Sequence, residues 1–385
     1  MKIGFITPFF SPVAGGSAIA PYYLAKYLVR KGHEVFIFTS DFGRNLAKFN
    51  DEKDLVIIES NIKLKMFSSF YTPSLRSKLE NYKLDVLHFH NFRTYQNYVA
   101  YSYAKRTNTP YILQAHGSVP RMGSWQKLKF IYDVFLGYRL LRDASKIIAL
   151  NRIEFEQYKS MGVSEEKIVI IPNGLDLSEY ANLPPKGFFK KKFNIHEDKK
   201  IILYLGRIHK IKGIDFLIKA YAHLIYKMNF KNIVLVIAGP DDGYLGEVKS
   251  LVCDLGVANS VLFTGLLSEK DKIKAYVDSD VVVNVEPLNV YGLVPLEAAA
   301  CSAPVIVSKT NAISEIVLNG KFGFSVKYGD VISLASMLHR ILIDEELAEN
   351  LGKNGRKYVL DNLGWDKIVE KYEQVYREAM ESRLN

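Results

Sequence analysis

The sequence contains very little cysteine and no long hydrophobic run. Its 385 residues include only two cysteines, Cys253 and Cys301, which cannot form a disulfide framework or a four-ligand zinc site. No apolar run approaches the roughly 18–20 residues needed to span a membrane. The first residues, Met1–Pro8, lack the apolar core and small-residue cleavage site of a signal peptide. These absences predict a cytoplasmic protein in a reducing compartment.

Several chemical signatures are also missing. There is no Walker loop, no G-x-S-x-G nucleophile elbow and no Cys/His constellation. Asp278-Ser279-Asp280 resembles a metal-binding D-x-D motif, but it lies where a predicted helix ends and a strand begins, which favours a structural turn. His88 and His90 lie on one face of a predicted strand, where packing and hydrogen bonding explain them better than a metal does. We therefore expect no metal site.

The chain is basic, and the excess charge lies in its first half. The formal net charge is +10, and residues 1–180 hold 24 of the 51 Lys/Arg and 16 of the 41 Asp/Glu. Such a half suits anionic material, whether nucleic acid, a lipid surface or a phosphorylated acceptor. Nucleic acid is the least favoured of these, because no known readout motif appears and the charge is spread rather than striped.

Apolar strand-like runs alternate with amphipathic helical stretches, which is typical of βαβ units and a parallel sheet. The predicted strands are Lys2–Thr7, Glu34–Thr39, Val86–His90, Tyr111–His116, Lys146–Leu150, Ile168–Ile171, Ile201–Leu205, Ile233–Ala238, Val261–Phe263, Val281–Val285 and Pro304–Ser308. The length favours two domains, and Ser178–Lys200 reads as the linker and lead-in. We predict an α/β protein with two doubly wound domains, residues 1–177 and 178–364, that face a central cleft. A final helix over residues 365–383 is expected to pack back onto the first domain.

Two loops after predicted strands could bind an anion. Gly15-Gly16 follows the first strand and precedes a helix, so the backbone could approach a phosphate, although for the pair alone a plain tight turn is the favoured explanation. Gly206-Arg207 and Lys212-Gly213 flank the first strand-to-helix turn of the second domain. Two cations at that spacing converge on one point and suit a diphosphate. A solvated basic turn is the alternative.

The segment from Asn289 to Glu297 is the most informative stretch. A loop with a central glycine, Gly292, runs into a helix and presents backbone amides, which is the geometry of an anion site. Glu297 lies in the first turns of that helix, where its carboxylate could bind a vicinal diol such as a ribose. A helix-capping glutamate is the alternative.

Taken in order, these motifs resemble the retaining, nucleotide-sugar-dependent glycosyltransferases of the GT-B fold, in the group 1 (family-four) branch. The resemblance covers essentially the whole chain. It is carried by Gly15-Gly16, Asp85–His90, Gln114–Gly117, Ile171–Asp176, Gly206-Arg207, Lys212-Gly213, Ala238–Pro240, Phe263–Gly265 and Asn289–Ala299. It implies two Rossmann-like domains, with the acceptor on the N-terminal one and the nucleotide sugar mainly on the C-terminal one.

The resemblance also implies roles for particular residues. The implied donor-binding residues are Gly16, Arg207, Lys212, Leu267, Asn289, Tyr291, Gly292, Leu293, Val294 and Glu297. Arg207, Lys212 and the amides of residues 291–294 would contact the diphosphate, with Gly16 reaching it from the other domain. Glu297 would hold the ribose, and the backbone around Leu267 would hold the base. His116 would lie beside the transferred sugar as the catalytic residue.

The implied chemistry needs no metal and no cofactor beyond the UDP- or GDP-linked co-substrate, because Arg, Lys and helix-end amides can neutralise a leaving diphosphate. Retaining glycosidases usually employ a carboxylate nucleophile, and no carboxylate occupies the matching position here. By analogy we favour same-face attack by the acceptor hydroxyl, with the departing phosphate oxygen taking its proton. The expected product is a glycan or lipid-linked glycan carrying a new hexose or N-acetylhexosamine.

One departure from the family pattern keeps other functions open. The family usually carries Glu eight residues before the second Glu, and here that position is Asn289, which hydrogen-bonds but carries no charge. The alternatives are a GT-B sugar-nucleotide epimerase, a phosphorylase, and a sugar-nucleotide-binding protein that has lost turnover.

Basic residues next to aromatic ones suggest contact with an anionic membrane, at the inner face, where a lipid-linked acceptor would lie. Segment 121–130 combines Arg121, Lys127 and Lys129 with Trp125 and other apolar residues. A second segment places Lys63, Lys65 and Arg76 around Phe67, Phe70 and Tyr71. The alternative is an ordinary solvated helix with one buried face.

Overall fold

The computed structural model describes residues 1–14, 16–49, 53–66, 69–121, 125–287 and 291–382. The chain divides into two compact units, which we call the N-terminal unit (residues 1–174 and 365–385) and the C-terminal unit (residues 175–364). The division falls between Gly174 and Leu175, slightly before the boundary predicted after residue 177. The segment that begins at Trp365 belongs to the N-terminal unit.

The N-terminal unit is built on a parallel seven-stranded sheet of order β3-β2-β1-β6-β7-β8-β9, beside a small antiparallel pair, β4 and β5. Its strands are β1 (Lys2–Ile6), β2 (Glu34–Ser40), β3 (Val56–Ser60), β4 (Leu64–Met66), β5 (Ser69–Tyr71), β6 (Val86–His90), β7 (Tyr111–Gln114), β8 (Lys146–Ala149) and β9 (Ile168–Ile170). In register, Phe5 lies opposite Ile37 on β2 and His88 on β6. The order reverses between β1 and β6, which makes the sheet doubly wound.

Helices complete the N-terminal unit. They are α1 (Gly16–Arg30), α2 (Leu75–Glu80), α3 (Tyr95–Thr107), α4 (Gln126–Tyr132), α5 (Tyr138–Asp143), α6 (Arg152–Ser160) and α15 (Trp365–Glu381). Thr94 begins α3 by accepting a hydrogen bond from the amide of Asn97, an N-cap that satisfies an otherwise free donor. Every residue of β6 and β7 is buried, as expected for a parallel sheet that is covered on both faces.

The C-terminal unit repeats the architecture with a parallel six-stranded sheet of order β12-β11-β10-β13-β14-β15. Its strands are β10 (Lys200–Leu205), β11 (Ile233–Ala238), β12 (Val261–Gly265), β13 (Val281–Asn284), β14 (Val305–Ser308) and β15 (Gly323–Val326). Its helices are α7 (Phe188–Lys192), α8 (Ile214–Tyr226), α9 (Leu245–Asp254), α10 (Glu269–Asp278), α11 (Val294–Ala300), α12 (Ser314–Asn319), α13 (Val331–Ile343) and α14 (Glu345–Asn362). A core of Ile, Leu and Val side chains from α8, α13 and the sheet fills its interior. The strand order reverses between β10 and β13.

The predicted strands mostly match the observed ones within a residue or two at their ends. The strand predicted over Tyr111–His116 ends earlier, at Gln114, because His116 adopts a left-handed backbone with φ 49°. Four of the described strands were not predicted. The three-residue strands β4 and β5 are very short, and β3, with Glu59 and Ser60, and β15, with glycine and serine, lack a long apolar run. Within the described ranges, no helix combines the length and the apolarity needed to cross a bilayer.

Candidate functional site

The predicted donor-binding residues of the C-terminal unit lie in loops that follow the carboxyl ends of its strands. Arg207 and Lys212 follow β10, Leu267 follows β12, and the segment from Tyr291 to Glu297 follows β13. Ligands of doubly wound sheets bind at this edge, at the point where the strand order reverses. That point lies here between β10 and β13, which are the strands that carry the predicted diphosphate contacts.

Lys212 forms an ion pair across this reversal point with a residue that the sequence analysis missed, Glu286. Its Nζ lies 2.7 Å from Glu286 Oε2, and the two side chains are 20% and 7% exposed. Asn284 Nδ2 donates to the other carboxylate oxygen at 3.3 Å. Gly213 allows the close approach, since it has φ 70° and an added Cβ would lie 2.5 Å from the carbonyl oxygen of Val285. The sequence signal was a carboxylate directly after a buried strand at the reversal point.

Arg207 also has an acidic partner, but an exposed one. Its Nη1 lies 2.5 Å from Asp242 Oδ2, and the side chains are 59% and 38% exposed. Surface pairs of this kind contribute little to stability, because water and salt screen them. A dianionic ligand could therefore displace Asp242 from Arg207 at small cost. The loops are held close by Gly239, where an added Cβ would lie 1.9 Å from the carbonyl oxygen of Gly206.

Glu297 is buried and is held by two side chains of α10. Its Oε2 accepts a 2.6 Å hydrogen bond from the Tyr276 hydroxyl, and Lys272 Nζ lies 3.3 Å from Oε1. Burial alone would lower the pKa of Lys272, but the carboxylates of Glu297 and Glu269 outweigh it and raise this pKa. The pKa of Tyr276 is raised well above its ordinary value, mainly by burial and next by the nearby Glu297. Glu297 is therefore bonded to α10 and does not cap α11, the helix on which it lies. Because a carboxylate has about four acceptor positions, it can still accept hydrogen bonds from a diol.

The other predicted donor residues have ordinary surroundings. Leu267 is half-buried in the loop between β12 and α10, and residues 291–293 immediately precede α11, which begins at Val294. In the other unit, Gly16 is the exposed first residue of α1. Asn289 and Gly15 lie outside the described residues.

His116 lies in a tightly held turn after β7 of the N-terminal unit. The amide of Ala115 donates to the Tyr158 hydroxyl at 2.8 Å, and the amide of Gly117 donates to Glu154 Oε1 at 2.7 Å. His116 and Gly117 both have left-handed backbones, with φ 49° and 83°. A non-glycine residue in this region is strained unless its surroundings hold it, and these bonds do so.

Glu154 is a further residue that the sequence analysis missed. It is fully buried, and its second oxygen accepts the amide of Leu150 at 2.7 Å. Burial raises its pKa to about 7, although its two amide bonds act in the opposite direction. The signal was present as Asn151-x-x-Glu154, because Asn151 caps α6 and the glutamate three residues later reaches back toward the chain.

His116 contacts two more histidines, and we call His88, His90 and His116 the histidine stack. His90 Nδ1 lies 2.9 Å from His116 Nε2, and the rings of His88 and His90 have centroids 4.0 Å apart. Burial lowers the pKa of all three imidazoles, that of His116 to about 3. The stack is therefore uncharged near neutral pH. His88 and His90 are buried and serve packing and hydrogen bonding, as their sequence context suggested.

The D-x-D motif is structural in this chain. Asp278 accepts the amides of Gly187, Phe189 and Lys190, and so holds the start of α7. Asp280 accepts the amide of Ile201 at 2.7 Å. In the part of the chain that the structure describes, no group of three or more His, Cys, Asp or Glu side chains could hold a metal ion.

Comparisons with known proteins agree with this architecture. The family model "Glycosyltransferase Family 4" matches residues 14–179, and "Glycosyl transferases group 1" matches residues 185–358. An uncharacterised glycosyltransferase of Methanocaldococcus jannaschii is 30% identical over 99% of both chains. The N-acetyl-alpha-D-glucosaminyl L-malate synthase of Bacillus anthracis is 26% identical over 100% of this chain and 99% of its own.

Solved structures share the fold. Anabaena HepE, in complex with UDP and glucose, has a TM-score of 0.77 at 18% identity and covers 97% of this chain and 98% of its own. Sucrose-phosphate synthase from Thermosynechococcus elongatus has a TM-score of 0.79 at 23% identity and covers 99% and 100%. With two parallel-sheet α/β units and family models that match nearly its whole length, this chain belongs to the group 1 glycosyltransferases of the GT-B fold.

Proposed function

We propose that this glycosyltransferase moves a hexose or N-acetylhexosamine from a UDP- or GDP-linked sugar to a hydroxyl of a glycan or lipid-linked acceptor, with retention of configuration. The observation that carries the proposal is that Arg207 and Lys212 follow β10, and Glu297 follows β13, at the carboxyl ends of the two strands between which the order of the sheet reverses. That edge is where doubly wound sheets bind nucleotides. The HepE structure, which contains UDP and glucose, supports the donor class.

The two cations would neutralise the charge of the diphosphate, as a metal ion does in other transferases. Lys212 has three donors, so it could bind a phosphate oxygen while keeping its bond to Glu286. Arg207 would exchange the exposed Asp242 for the diphosphate and offer a forked pair of donors. Glu297, oriented by Tyr276, would accept from the ribose hydroxyls. No metal or further cofactor is needed in this proposal.

His116 acts in the proposed reaction as a neutral group. A histidine whose pKa is about 3 is a poor proton acceptor near neutral pH. The bond from the anomeric carbon to the phosphate oxygen breaks, the bond to the acceptor oxygen forms on the same face, and the acceptor proton moves to the departing phosphate oxygen. His116 would then orient the sugar by hydrogen bonding, and the leaving diphosphate is the base.

Calorimetric titration with UDP and GDP, and then with the sugar conjugates of whichever binds, tests the donor site. We expect selective binding that weakens about tenfold or more in Arg207→Ala, since a charge-assisted hydrogen bond contributes about 1.5–3 kcal/mol. Lys353→Ala removes a comparably exposed cation from α14 and should bind as the unchanged protein does. Failure of both nucleotides to bind would overturn the proposal, and binding without transfer or hydrolysis would indicate a non-catalytic binding protein.

We also propose contact with an anionic lipid surface, through residues 125–139, which we call the exposed segment. None of the seven residues of α4 is fully buried, although Tyr132 packs against the core of the N-terminal unit and Asp133 and Gly137, farther along the segment, are buried. The exposed apolar side chains are Trp125, Leu128, Phe130, Ile131, Val134, Phe135 and Tyr138. Lys127 and Lys129 lie among the first of them and Arg139 follows the last, and such a mixture of apolar and basic side chains is found in interfacial helices.

Not all of the predicted membrane residues join this surface. Arg121 Nε is bonded at 2.7 Å to the buried Asp133, so it holds the exposed segment in place instead. In the second predicted segment, Phe70 is buried and Lys65 lies over its ring, while Phe67 lies outside the described residues. The exposed segment alone therefore carries the proposal.

Flotation with vesicles of anionic phospholipid at low salt tests the surface. We expect binding that salt weakens and that Phe135→Ser, at a side chain 72% exposed, reduces severalfold. Ile332→Ser, at a 65% exposed position on α13 of the C-terminal unit, is the matched control and should float normally. Absence of flotation by the unchanged protein would refute membrane contact and leave the donor site untouched.

A further inference from the structure

A buried hydrogen bond joins the predicted catalytic residue to the end of a neighbouring strand. His90 is the last residue of β6, and its Nδ1 lies 2.9 Å from Nε2 of His116, in the turn after β7. The two rings are nearly parallel, with an interplanar angle of 19° and centroids 5.2 Å apart. This contact lies wholly within the N-terminal unit.

The position of the proton in this bond follows from burial. Two neutral imidazoles share one proton between His90 Nδ1 and His116 Nε2, and each ring carries one proton in total. His90 Nε2 is buried, and among the described residues no group hydrogen-bonds it. A buried N–H without an acceptor is rarer in folded proteins than a buried acceptor without a donor. The proton of His90 therefore lies on Nδ1 and is donated to His116.

We propose that His90 is a positioning residue that fixes His116 in the tautomer protonated at Nδ1. His116 then offers the bound sugar an N–H donor rather than a basic nitrogen. This inference rests on the proposed function for its role in catalysis, but the tautomer itself is a property of the free protein. His116 is partly exposed, and its Nδ1 makes no hydrogen bond to a described residue.

The surroundings of His90 keep its ring from turning. The edge of Phe5 lies against it, with centroids 4.6 Å apart, and the ring of His88 covers it. His88 is anchored in turn by the Tyr376 hydroxyl, 2.8 Å from its Nδ1. Since Tyr376 lies on α15, the final helix helps to hold the histidine stack. A ring held between Phe5 and His88 presents Nδ1 to His116 without the entropy cost of ordering it.

The consequence for the reaction is specific. An N–H donor at His116 can hold a sugar hydroxyl or an oxygen that gains negative charge, which is electrostatic stabilisation by a pre-oriented dipole. It cannot accept the proton of the acceptor hydroxyl through Nδ1. The proton must then go to the departing phosphate oxygen, as in the proposed reaction.

Nitrogen-15 NMR of the protein with ring-labelled histidine tests the tautomer directly. We expect the unchanged protein to show His116, assigned by its loss in His116→Gln, with a protonated Nδ1 and an unprotonated Nε2. His90→Asn keeps an N–H donor near the Nδ1 position and should preserve this pattern, whereas His90→Phe keeps the ring without the donor and should give a mixture of tautomers. A protonated Nε2 on His116 in the unchanged protein would overturn the proposal, whatever the variants do.

Tyr376→Phe is the matched control. It removes one buried hydrogen bond from the same stack but leaves His90 and His116 in contact, so the His116 pattern should not change. A tautomer change there as large as in His90→Phe would contradict the assignment to His90, because a general loosening would then explain both.

Kinetics with an active donor supply the second readout. His90→Phe should lower kcat about 10–100-fold with little change in the donor KM, and His90→Asn should restore most of it. An equal loss in both variants would contradict positioning by the donated proton. If no donor is turned over at all, the proposed function fails, and the NMR result still decides the tautomer.

Discussion

The ion pair between Lys212 and Glu286 predicts that removing the two cations of the proposed donor site, Lys212 and Arg207, has unequal effects on stability. Lys212→Ala removes the cation that lies 2.7 Å from Glu286, a carboxylate whose side chain is only 7% exposed. Breaking a fully buried pair from one side costs about 3–5 kcal/mol. Because Lys212 is itself 20% exposed, we expect a loss of about 2–3 kcal/mol in the free energy of unfolding of the C-terminal unit. Arg207→Ala removes only an exposed pair and should cost less than about 1 kcal/mol.

The assay must report on the C-terminal unit. Both tryptophans, Trp125 and Trp365, belong to the N-terminal unit, so their fluorescence does not follow Lys212. Urea unfolding monitored by far-ultraviolet circular dichroism includes the helices of the C-terminal unit. Fluorescence recorded on the same samples then serves as an internal control, and its transition should not move in either variant.

A double-mutant cycle separates the pair from other effects. Glu286→Gln removes the buried charge, so Lys212→Ala made in that background should cost about 2 kcal/mol less than it does alone. Equal losses in Lys212→Ala and Arg207→Ala, or an unchanged cost of Lys212→Ala when Glu286 is already Gln, would refute the reasoning. Either result would mean that water screens the pair in solution as fully as it screens Arg207.

Two further predictions concern pH and backbone. The histidine stack has pKa values below the ordinary 6.5, so the unfolded chain binds more protons there and stability falls as pH drops below 6.5. Glu154 opposes this because its pKa is raised to about 7: the stability that it adds is complete below pH 4.5 and is lost as pH rises through 7. The free energy of unfolding, measured with urea and tryptophan fluorescence between pH 6.5 and 4.5, should fall with pH as if unfolding took up about two protons, and about three in Glu154→Gln. A free energy that does not change with pH would contradict both assignments. Gly213→Ala should lower the free energy of unfolding by at least about 2 kcal/mol and weaken nucleotide binding, because it combines a left-handed backbone with a clash. Gly243→Ala, with φ 83° and open space around it, should lower this free energy less. Equal losses, measured by circular dichroism, would show that the clash relaxes.

Most strands of the two large sheets could be predicted from the sequence because these sheets are covered on both faces. Buried parallel strands read as short apolar runs, so Val86–His90 was found with its observed bounds. Edge strands are half exposed and mix polar with apolar residues, so Val56–Ser60 gave no such signal. The order of strands within each sheet was not in the pattern, because any order of βαβ units produces the same alternation.

The loops proposed to bind the donor could be located from the sequence, since glycines and cations at fixed distances from a strand end leave a local trace, and their role stays a prediction. Their partners could not be located in this way. Glu286 lies 74 residues from Lys212 along the chain, and Tyr276 approaches Glu297 from a neighbouring helix. Nothing in the local sequence at Arg207 or Lys212 shows that each cation already has a carboxylate. These carboxylate partners change the loss of stability expected when either cation is removed.

The sequence by itself determined the fold class, the family and the edges of the sheets at which a ligand would bind, because periodicity, glycine turns and strand ends are local properties of the chain. Only the tertiary structure decided the chemical state of the groups at those edges. Burial keeps the histidine stack neutral, and the hydrogen bond from His90 sets the proposed tautomer of His116. The reversal of strand order between β10 and β13 places Glu286 beside Lys212. Protonation and ion pairing depend on what lies within a few ångströms in space, and distance along the chain does not set them.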